Sequence, residues 1–349
     1  MSNCGQVNPA ILRRFDDALN FRKPDRVPVW EMLQHPAAFS HFAPGVPFPE
    51  CAAIACERLR IDATYGFFDV PAEGTQRPDG VVIAGQTEWH ATPLFGSLAD
   101  LQEWRPPKID TARLAEEIPA YHARMQALCG WNLLYLPQDG GFEFIPGYDA
   151  DTFLVFSEAM AGDLPALERF WDCQAELARA RNAVTAGHIP VPAVQCCIDV
   201  ACNTGLMVSP DLLRKHFFPR FAQVIAPLKE AGIKVIWHSD GDISTVLDDA
   251  IAIGVDGIDP VDPAAAHMDM GALKQRYGRS LVFVGNVGLD HVLRFGTPDQ
   301  VRADVRRCLR QAGLDGGLIL QCGDGQIMPD CPLENVIAYL DEAHAGMPT

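Results

Sequence analysis

The sequence predicts an α/β fold, a (β/α)8 barrel with an N-terminal extension and a small hairpin insertion. Three observations predict it. Apolar, β-branched runs alternate with helical patterns through the second half of the chain, as successive βαβ units do. The runs are continuously apolar rather than alternating, which suits a parallel sheet buried on both faces. Eight such units fit into 349 residues, within the range of a barrel that carries insertions. A doubly wound sheet is the alternative that the same alternation allows. The chain reads as one barrel domain over 1–349, with the insertion at about 72–110.

The first half supplies three strands: Val27–Trp30, Ala63–Phe68 and Leu133–Leu136. Val81–Ile83 and Thr87–His90, joined by Ala84-Gly85-Gln86, read as the inserted hairpin. Residues 98–129 and 151–187 read as helices. Val191–Ile198 is the fourth strand. Ser209 as N-cap and Pro210 at the first helical position open the next helix, whose Leu213, Phe217, Val224 and Leu228 fall near one face. Gly232 closes that helix, and Ile233–Trp237 is the fifth strand. A helix with Ile243, Val246, Leu247, Ala250 and Ile251 at spacings of three and four ends at Gly254. Gly257–Val261, a helix around Met270–Tyr277, and Leu281–Val284 follow. Thr297-Pro298 caps a helix carrying Val301, Val305 and Leu309. Gly317–Gln321 is the eighth strand, and Pro332–Ala343 the last helix.

Composition excludes several functions. The net charge of −17, from 28 basic and 45 acidic residues, leaves no basic surface for nucleic acid or for an anionic membrane. No run of 18 apolar residues spans a bilayer. Met1 to Phe15 lacks a signal-peptide layout. The 11 cysteines are scattered with no CxxC, so a reduced cytoplasmic protein is expected. Cys196-Cys197 reads as a pair of buried strand side chains. The chain is compatible with a monomer or a homodimer. Phe217-Phe218-Phe221 reads as a core helix face.

Chemistry concentrates at strand ends, where ligands bind in α/β folds. Glu31, Gln34 and His35 follow the first strand, and Asp69 the second. Gln138, Asp139 and Glu143 follow the third, Asp199 and Asn203 the fourth. His238-Ser239-Asp240-Gly241 follows the fifth, Asp259 ends the sixth, Gly285-Asn286 follows the seventh, and Cys322 and Asp324 follow the eighth. From this set, His238, Asp240, Asp199 and Asp69 are the candidate catalytic groups. Glu143, Gln138, Asn286, Gln34 and His35 are the candidate contacts to a small-molecule substrate. His238 and Asp240, two apart, share a strand face and reach one point. With Cys322 or Asp324 they make a candidate site for a divalent metal, harder or borderline in character rather than a thiolate site. His238 is otherwise a general acid or base near neutral pH.

Several ordered segments resemble the uroporphyrinogen decarboxylase superfamily. They are Arg22-Lys23-Pro24-Asp25-Arg26-Val27-Pro28-Val29-Trp30, Gly205-Leu206-Met207-Val208-Ser209-Pro210, Ala231 through Gly241, Gly285-Asn286-Val287, Gly296-Thr297-Pro298-Asp299-Gln300-Val301, and Pro329-Asp330-Cys331-Pro332-Leu333-Glu334-Asn335-Val336. The resemblance covers about residues 10–345 and implies a (β/α)8 barrel. It implies one of two chemistries. The true decarboxylase carries arginines after its Pro-Val-Trp segment, whereas this chain has Glu31-Met32-Leu33-Gln34-His35. The decarboxylase's late histidine, in a Gly-His-Gly, falls near Gly323-Asp324-Gly325. Both departures speak against uroporphyrinogen as substrate.

The cobalamin-dependent methyltransferases of the superfamily bind zinc through His-x-Cys and a later Cys. Here the first motif is His238-Ser239-Asp240, and the later ligand falls near Cys322 or Asp324. The resemblance therefore implies a methyltransferase-like enzyme that moves a methyl group from a small methylated molecule to a corrinoid, with zinc as the metal and a corrinoid protein as partner. A decarboxylase acting on another carboxylate, with Asp69 in the role of the acid that holds pyrrole nitrogens, and a non-catalytic binding protein are the alternatives.

Overall fold

A computed structural model describes residues 7–69, 75, 81–84, 87–90, 93–145, 150–313, 315–323 and 325–345. Eight short staves form a ring, paired in parallel except at the seam between the third and fourth, where Asp139 bridges Cys196 in the antiparallel sense. The longest run of the wall is a five-stranded parallel sheet built from Ala193–Cys197, Lys234–His238, Gly257–Asp259, Val282–Val284 and Leu318–Ile319, the fourth to eighth staves in order. Val29 and Trp30 form the first stave. Val29 bridges Leu320 of the eighth, and Trp30 bridges Ala63 of the second. The second, Ala63–Thr64, pairs in parallel with the third, Leu134–Tyr135. The last seam joins the third to the fourth, where Gln195 N–H donates to the carbonyl of Pro137 at 2.9 Å and Gly140 N–H to that of Gln195 at 3.1 Å. Gly140 and Gly141 make this seam possible, because a Cβ on Gly141 would sit 2.5 Å from the Cys197 carbonyl oxygen.

Helices cover the outside. Most of the wall is buried on both faces, as the continuous runs require. Trp237 is fully buried and its ring lies 5.7 Å from Phe217 and 5.9 Å from Phe221, so the Phe217-Phe218-Phe221 face is core. That helix is three continuous pieces, Pro210–Leu212, a π-helical turn Leu213–Phe217, and Phe218–Glu230, with Ser209 as its N-cap. Thr297 forms a capping box with Gln300 on the Pro298–Ala312 helix. Gly254 takes the left-handed conformation that ends Leu247–Ile253.

Some boundaries differ from expectation. The expected helix 98–129 is two helices, Leu98–Glu103 and Thr111–Cys129, interrupted around Pro106-Pro107, which cannot donate backbone hydrogen bonds. The expected helix 151–187 is likewise Ala150–Gly162 and Leu164–His188, with Pro165 at the start of the second. Every stave but the fifth is shorter than the apolar run that marks it, and the fifth, Lys234–His238, is shifted by one residue. The hairpin is present as Val81–Ala84 paired antiparallel with Thr87–His90; Gly85 and Gln86, like much of the expected insertion, lie outside the described residues. Among the described residues no helix is long and apolar enough to cross a membrane.

Candidate active site and metal centre

Strand parity decides which side chains reach the lumen. Trp237 points outward into the helix layer, so its neighbour His238 points inward. Register carries this across the wall: Cys197 pairs with His238, and Asp259 pairs with His238 on the other side. Gln195 shares parity with Cys197. Gln195, Cys197, His238 and Asp259 are therefore brought together by three adjacent staves.

His238 is the hub. Its Nδ1 faces Oδ2 of Asp259 at 3.4 Å, and its Nε2 lies 3.9 Å from Oδ1 of both Asp199 and Asp240. Asp199 and Asp240 come from the loops after the fourth and fifth staves, and the Asp240 N–H donates to Asp199 Oδ1 at 2.9 Å. Gly241 lets this loop fold back. It has φ +81°, and a Cβ there would stand 2.3 Å from the Cys202 backbone. Cys197 also hydrogen-bonds to His238. Burial pulls the His238 pKa down, but the charge and hydrogen bonds of Cys197, Asp259 and Asp240 outweigh it, and the net shift is well above 6.5.

Beneath His238 lies a buried polar floor. Asp259 Oδ2 accepts from Tyr65 OH at 2.9 Å and from Gln195 Nε2. Tyr65 OH in turn accepts from Gln195 Nε2 at 3.1 Å and from Gln321 Nε2. The Asp259 side chain is 0 % exposed, yet its Oδ1 and Oε1 of Gln321 have no partner among the described residues. Buried polar atoms are rarely left so without a use, and both belong to the floor of this site. Burial first, then the charge of Asp259, pushes the Tyr65 phenol well above its usual range, so it stays a neutral donor.

One atom each from Asp199, His238 and Asp240 lie within 4.8 Å of one another. Two ligands of one zinc-sized ion stand about 3.4–4.2 Å apart for bonds of roughly 2.0–2.1 Å, so small side-chain rotations close the set. The donor chemistry fits. Two carboxylates and one imidazole suit a borderline divalent ion. Asp259 on the far nitrogen reproduces the carboxylate–histidine–metal arrangement that fixes a ligand's tautomer.

The other expected site residues are distributed differently. Cys322 is fully buried and belongs to another cluster: its N–H donates to Glu31 Oε1 at 2.8 Å and its thiol to Oε2 at 3.4 Å. Tyr339 OH, from the Leu333–His344 helix, donates to the same carboxylate. The expected reach of Cys322 to His238 is thus not what the fold does; Val287 and Glu31 are its neighbours instead. Glu31, expected at the mouth, has the outward parity opposite Trp30, and burial lifts its pKa to about 8. Asp324 lies outside the described residues.

Among the candidate substrate contacts, His35 is committed to structure. Its Nδ1 accepts from Ala38 N–H at 3.0 Å as a helix cap, and its Nε2 donates to the Cys331 carbonyl at 2.7 Å. Asn286 donates to the Val261 carbonyl and accepts from Arg307 at 2.7 Å. Gln34 and Gln138 are half-buried, whereas Asp69 and Glu143 are exposed, and none of these joins the three-residue cluster. Three participants escaped the sequence reading: Asp259 as a partner of His238, Gln195, and Cys197. Cys196 is buried as expected, but Cys197 is exposed. The signal for Cys197 was present, since neighbours in a strand face opposite sides.

Residues 181–346 match the family model described as uroporphyrinogen decarboxylase. A uroporphyrinogen decarboxylase from Methylococcus capsulatus is 32% identical over 80 residues, 23% of this chain and 22% of that protein. The matched stretch thus spans well under two thirds of the relative's length. A methyltransferase from Methanosarcina mazei superposes with a TM-score of 0.66 at 17% identity, covering 96% of this chain and 98% of that one, which shows a shared fold. An AP endonuclease of family 2 from Brucella melitensis aligns with a TM-score of 0.41 at 10% identity, over 87% of this chain and 95% of that one.

Proposed function

We propose that the chain belongs to the uroporphyrinogen decarboxylase superfamily, whose family model matches residues 181–346, and that it is a methyltransferase-like enzyme that takes a methyl group from a small O-methylated molecule and passes it to a corrinoid acceptor. The observation that carries the reading is the convergence of Asp199, His238 and Asp240 at the barrel mouth.

Three carboxylates surround one imidazole: Asp199 and Asp240 on the Nε2 side, Asp259 on the Nδ1 side. Such a cluster holds a positive charge, either a proton on Nε2 or a divalent ion ligated by Nε2, Asp199 and Asp240. A zinc ion bound there supplies Lewis-acid activation of the leaving oxygen. The residues do the rest. Asp259 holds Nδ1–H, which leaves Nε2 aimed at the mouth. Tyr65, Gln195 and Gln321 hold Asp259 from below. In the ion-free protein the protonated Nε2 donates its proton to the ether oxygen as the carbon–oxygen bond breaks, so the departing group leaves as a neutral hydroxyl compound. The corrinoid, and a protein that carries it, are part of the proposal and rest on the family resemblance.

Decarboxylation of another carboxylate has one finding in its favour, the family model over residues 181–346. Against it stand the acids on both sides of His238, which repel a free carboxylate. The test is methyl transfer from a panel of small aryl methyl ethers to reduced cobalamin. Formation of methylcobalamin that disappears in His238→Ala supports the reading. Coproporphyrinogen formed from uroporphyrinogen would overturn it.

A further inference from the structure

A cavity of about 380 Å³ opens between the loops after the sixth and seventh staves and the Met270–Tyr277 and Pro298–Ala312 helices. Its volume lies in the range of small-molecule sites. It shares no residue with the Asp199, His238 and Asp240 cluster. Leu289 and Val292, from the loop after the seventh stave, give it an apolar wall.

One carboxylate oxygen in this lining is open. Asp262 lines the cavity and is 7 % exposed. Its Oδ1 accepts from Ala264 N–H at 2.8 Å. Its Oδ2 has no hydrogen-bond partner among the described residues and, unlike Oδ1 of Asp259, keeps access to solvent. The other charges of the lining are occupied. Arg307 donates to Asp304 at 2.7 Å, to Asn286 at 2.7 and 2.8 Å, and to Gln311 at 2.8 Å. The second oxygen of Asp304 accepts from Gly288 N–H at 2.9 Å. Asp269 caps the Met270–Tyr277 helix through Ala272 N–H at 2.8 Å, which answers the positive end of that helix. Asp290 pairs with Arg294 at 2.9 Å, and His291 beside it is exposed. Burial raises the Asp262 pKa, the Ala264 N–H opposes that rise, and Asp290 adds more to it than His291 takes away. A positive charge beside Oδ2 offsets the cost of that buried carboxylate.

We propose that this cavity binds a small aliphatic ammonium ion, its charged end on Asp262 Oδ2 and its carbon chain against Leu289 and Val292. A protonated primary amine brings donors and no acceptor, which is what an open carboxylate oxygen takes. Such a charge-assisted hydrogen bond is about twice as strong as a neutral one. Four aspartates line the cavity against one arginine and one histidine, a balance that disfavours an anion. The site is independent of the chemistry proposed for the barrel mouth.

The experiment is a titration of the full chain with n-butylammonium and with butan-1-ol, followed at pH 7 by the carbon-13 methyl resonances of Leu289 and Val292. Butylammonium is expected to shift these resonances saturably and to bind about ten-fold more tightly than butanol, the margin of a charge-assisted hydrogen bond over a neutral one. Asp262→Asn keeps an acceptor for Ala264 N–H and should abolish that margin. Asp240→Asn should leave it intact, which separates this cavity from the acids around His238. The readout on the parent chain decides the matter even if Asp262→Asn does not fold. Equal affinity for the two ligands, unmoved Leu289 and Val292 methyls, a margin kept in folded Asp262→Asn, or a margin lost in Asp240→Asn would each overturn the proposal.

Discussion

Nδ1 of His238 stands 3.4 Å from Oδ2 of Asp259, across the fifth and sixth staves, and this pairing decides which ring nitrogen faces the barrel mouth. Asp259 is itself held by Tyr65 and Gln195. The ring is thus oriented by a buried carboxylate that never reaches solvent.

Replacing Asp259 with Asn removes the charge and weakens the donor preference at Nδ1. In the ion-free protein the His238 pKa, well above 6.5 in the parent, should fall toward its ordinary value. The sign follows from linkage. A folded pKa raised above the unfolded one contributes stability that is present below about pH 6.5 and is lost as pH rises through the folded pKa. Asp259→Asn should flatten that loss. Proton NMR of the His238 ring across a pH titration reads the shift directly, and an unchanged midpoint would remove Asp259 from this role.

Cys197 is exposed and hydrogen-bonded to His238, while its neighbour Cys196 is buried and burial pushes its thiol far up. Thiolate is the reactive form. Iodoacetamide at pH 7 should therefore modify Cys197 at least ten-fold faster than Cys196. Peptide mass spectrometry over a time course gives both rates.

How much of this was legible in the sequence follows from the range of the forces involved. The Thr297 capping box and the Gly254 helix stop are local, and they stand where spacing put them. The apolar runs found the eight staves because a strand buried on both faces has little polar alternation to hide it. Staves came out shorter than their runs because pairing ends where the ring opens toward its helices. His238 and Asp240 share a loop, so their meeting was readable. Asp259 was not: its link to His238 depends on the register of two staves 21 residues apart. Glu31 and Cys322 failed for the same reason. Each follows a strand, but strand parity turns Glu31 outward to Tyr339, and Cys322 goes with it.

That second carboxylate makes its own prediction. Glu31 is fully buried, and burial first, opposed by the hydrogen bonds of Tyr339 and Cys322, lifts its pKa to about 8. Its folded pKa exceeds the unfolded value near 4.5. The stability it confers is complete below about pH 4.5 and is lost as pH rises through about 8. Glu31→Gln keeps an acceptor for Tyr339 OH and cannot ionise. The melting temperature of the parent should drop between pH 5 and pH 9 by several degrees more than that of Glu31→Gln. Calorimetry at fixed ionic strength compares the two slopes, and parallel slopes would show that Glu31 does not titrate there.

The separation of Cys322 from the His238 cluster gives the sharpest test of the metal centre. If Asp199, His238 and Asp240 ligate a divalent ion, zinc added at about a hundred times its Kd stabilises the fold by roughly 2.7 kcal/mol, a rise of several degrees in melting temperature. His238→Ala and Asp240→Asn should each erase that rise. Cys322→Ala should lower the starting temperature, because it opens a cavity beside a buried carboxyl, and still show the full zinc-induced rise. Zinc must also displace the proton that His238 carries in the ion-free protein, so one proton or nearly so should be released on binding, and the rise should shrink as pH falls. Zinc dependence lost in Cys322→Ala but kept in Asp240→Asn would reverse the assignment and place the ion against Glu31 instead.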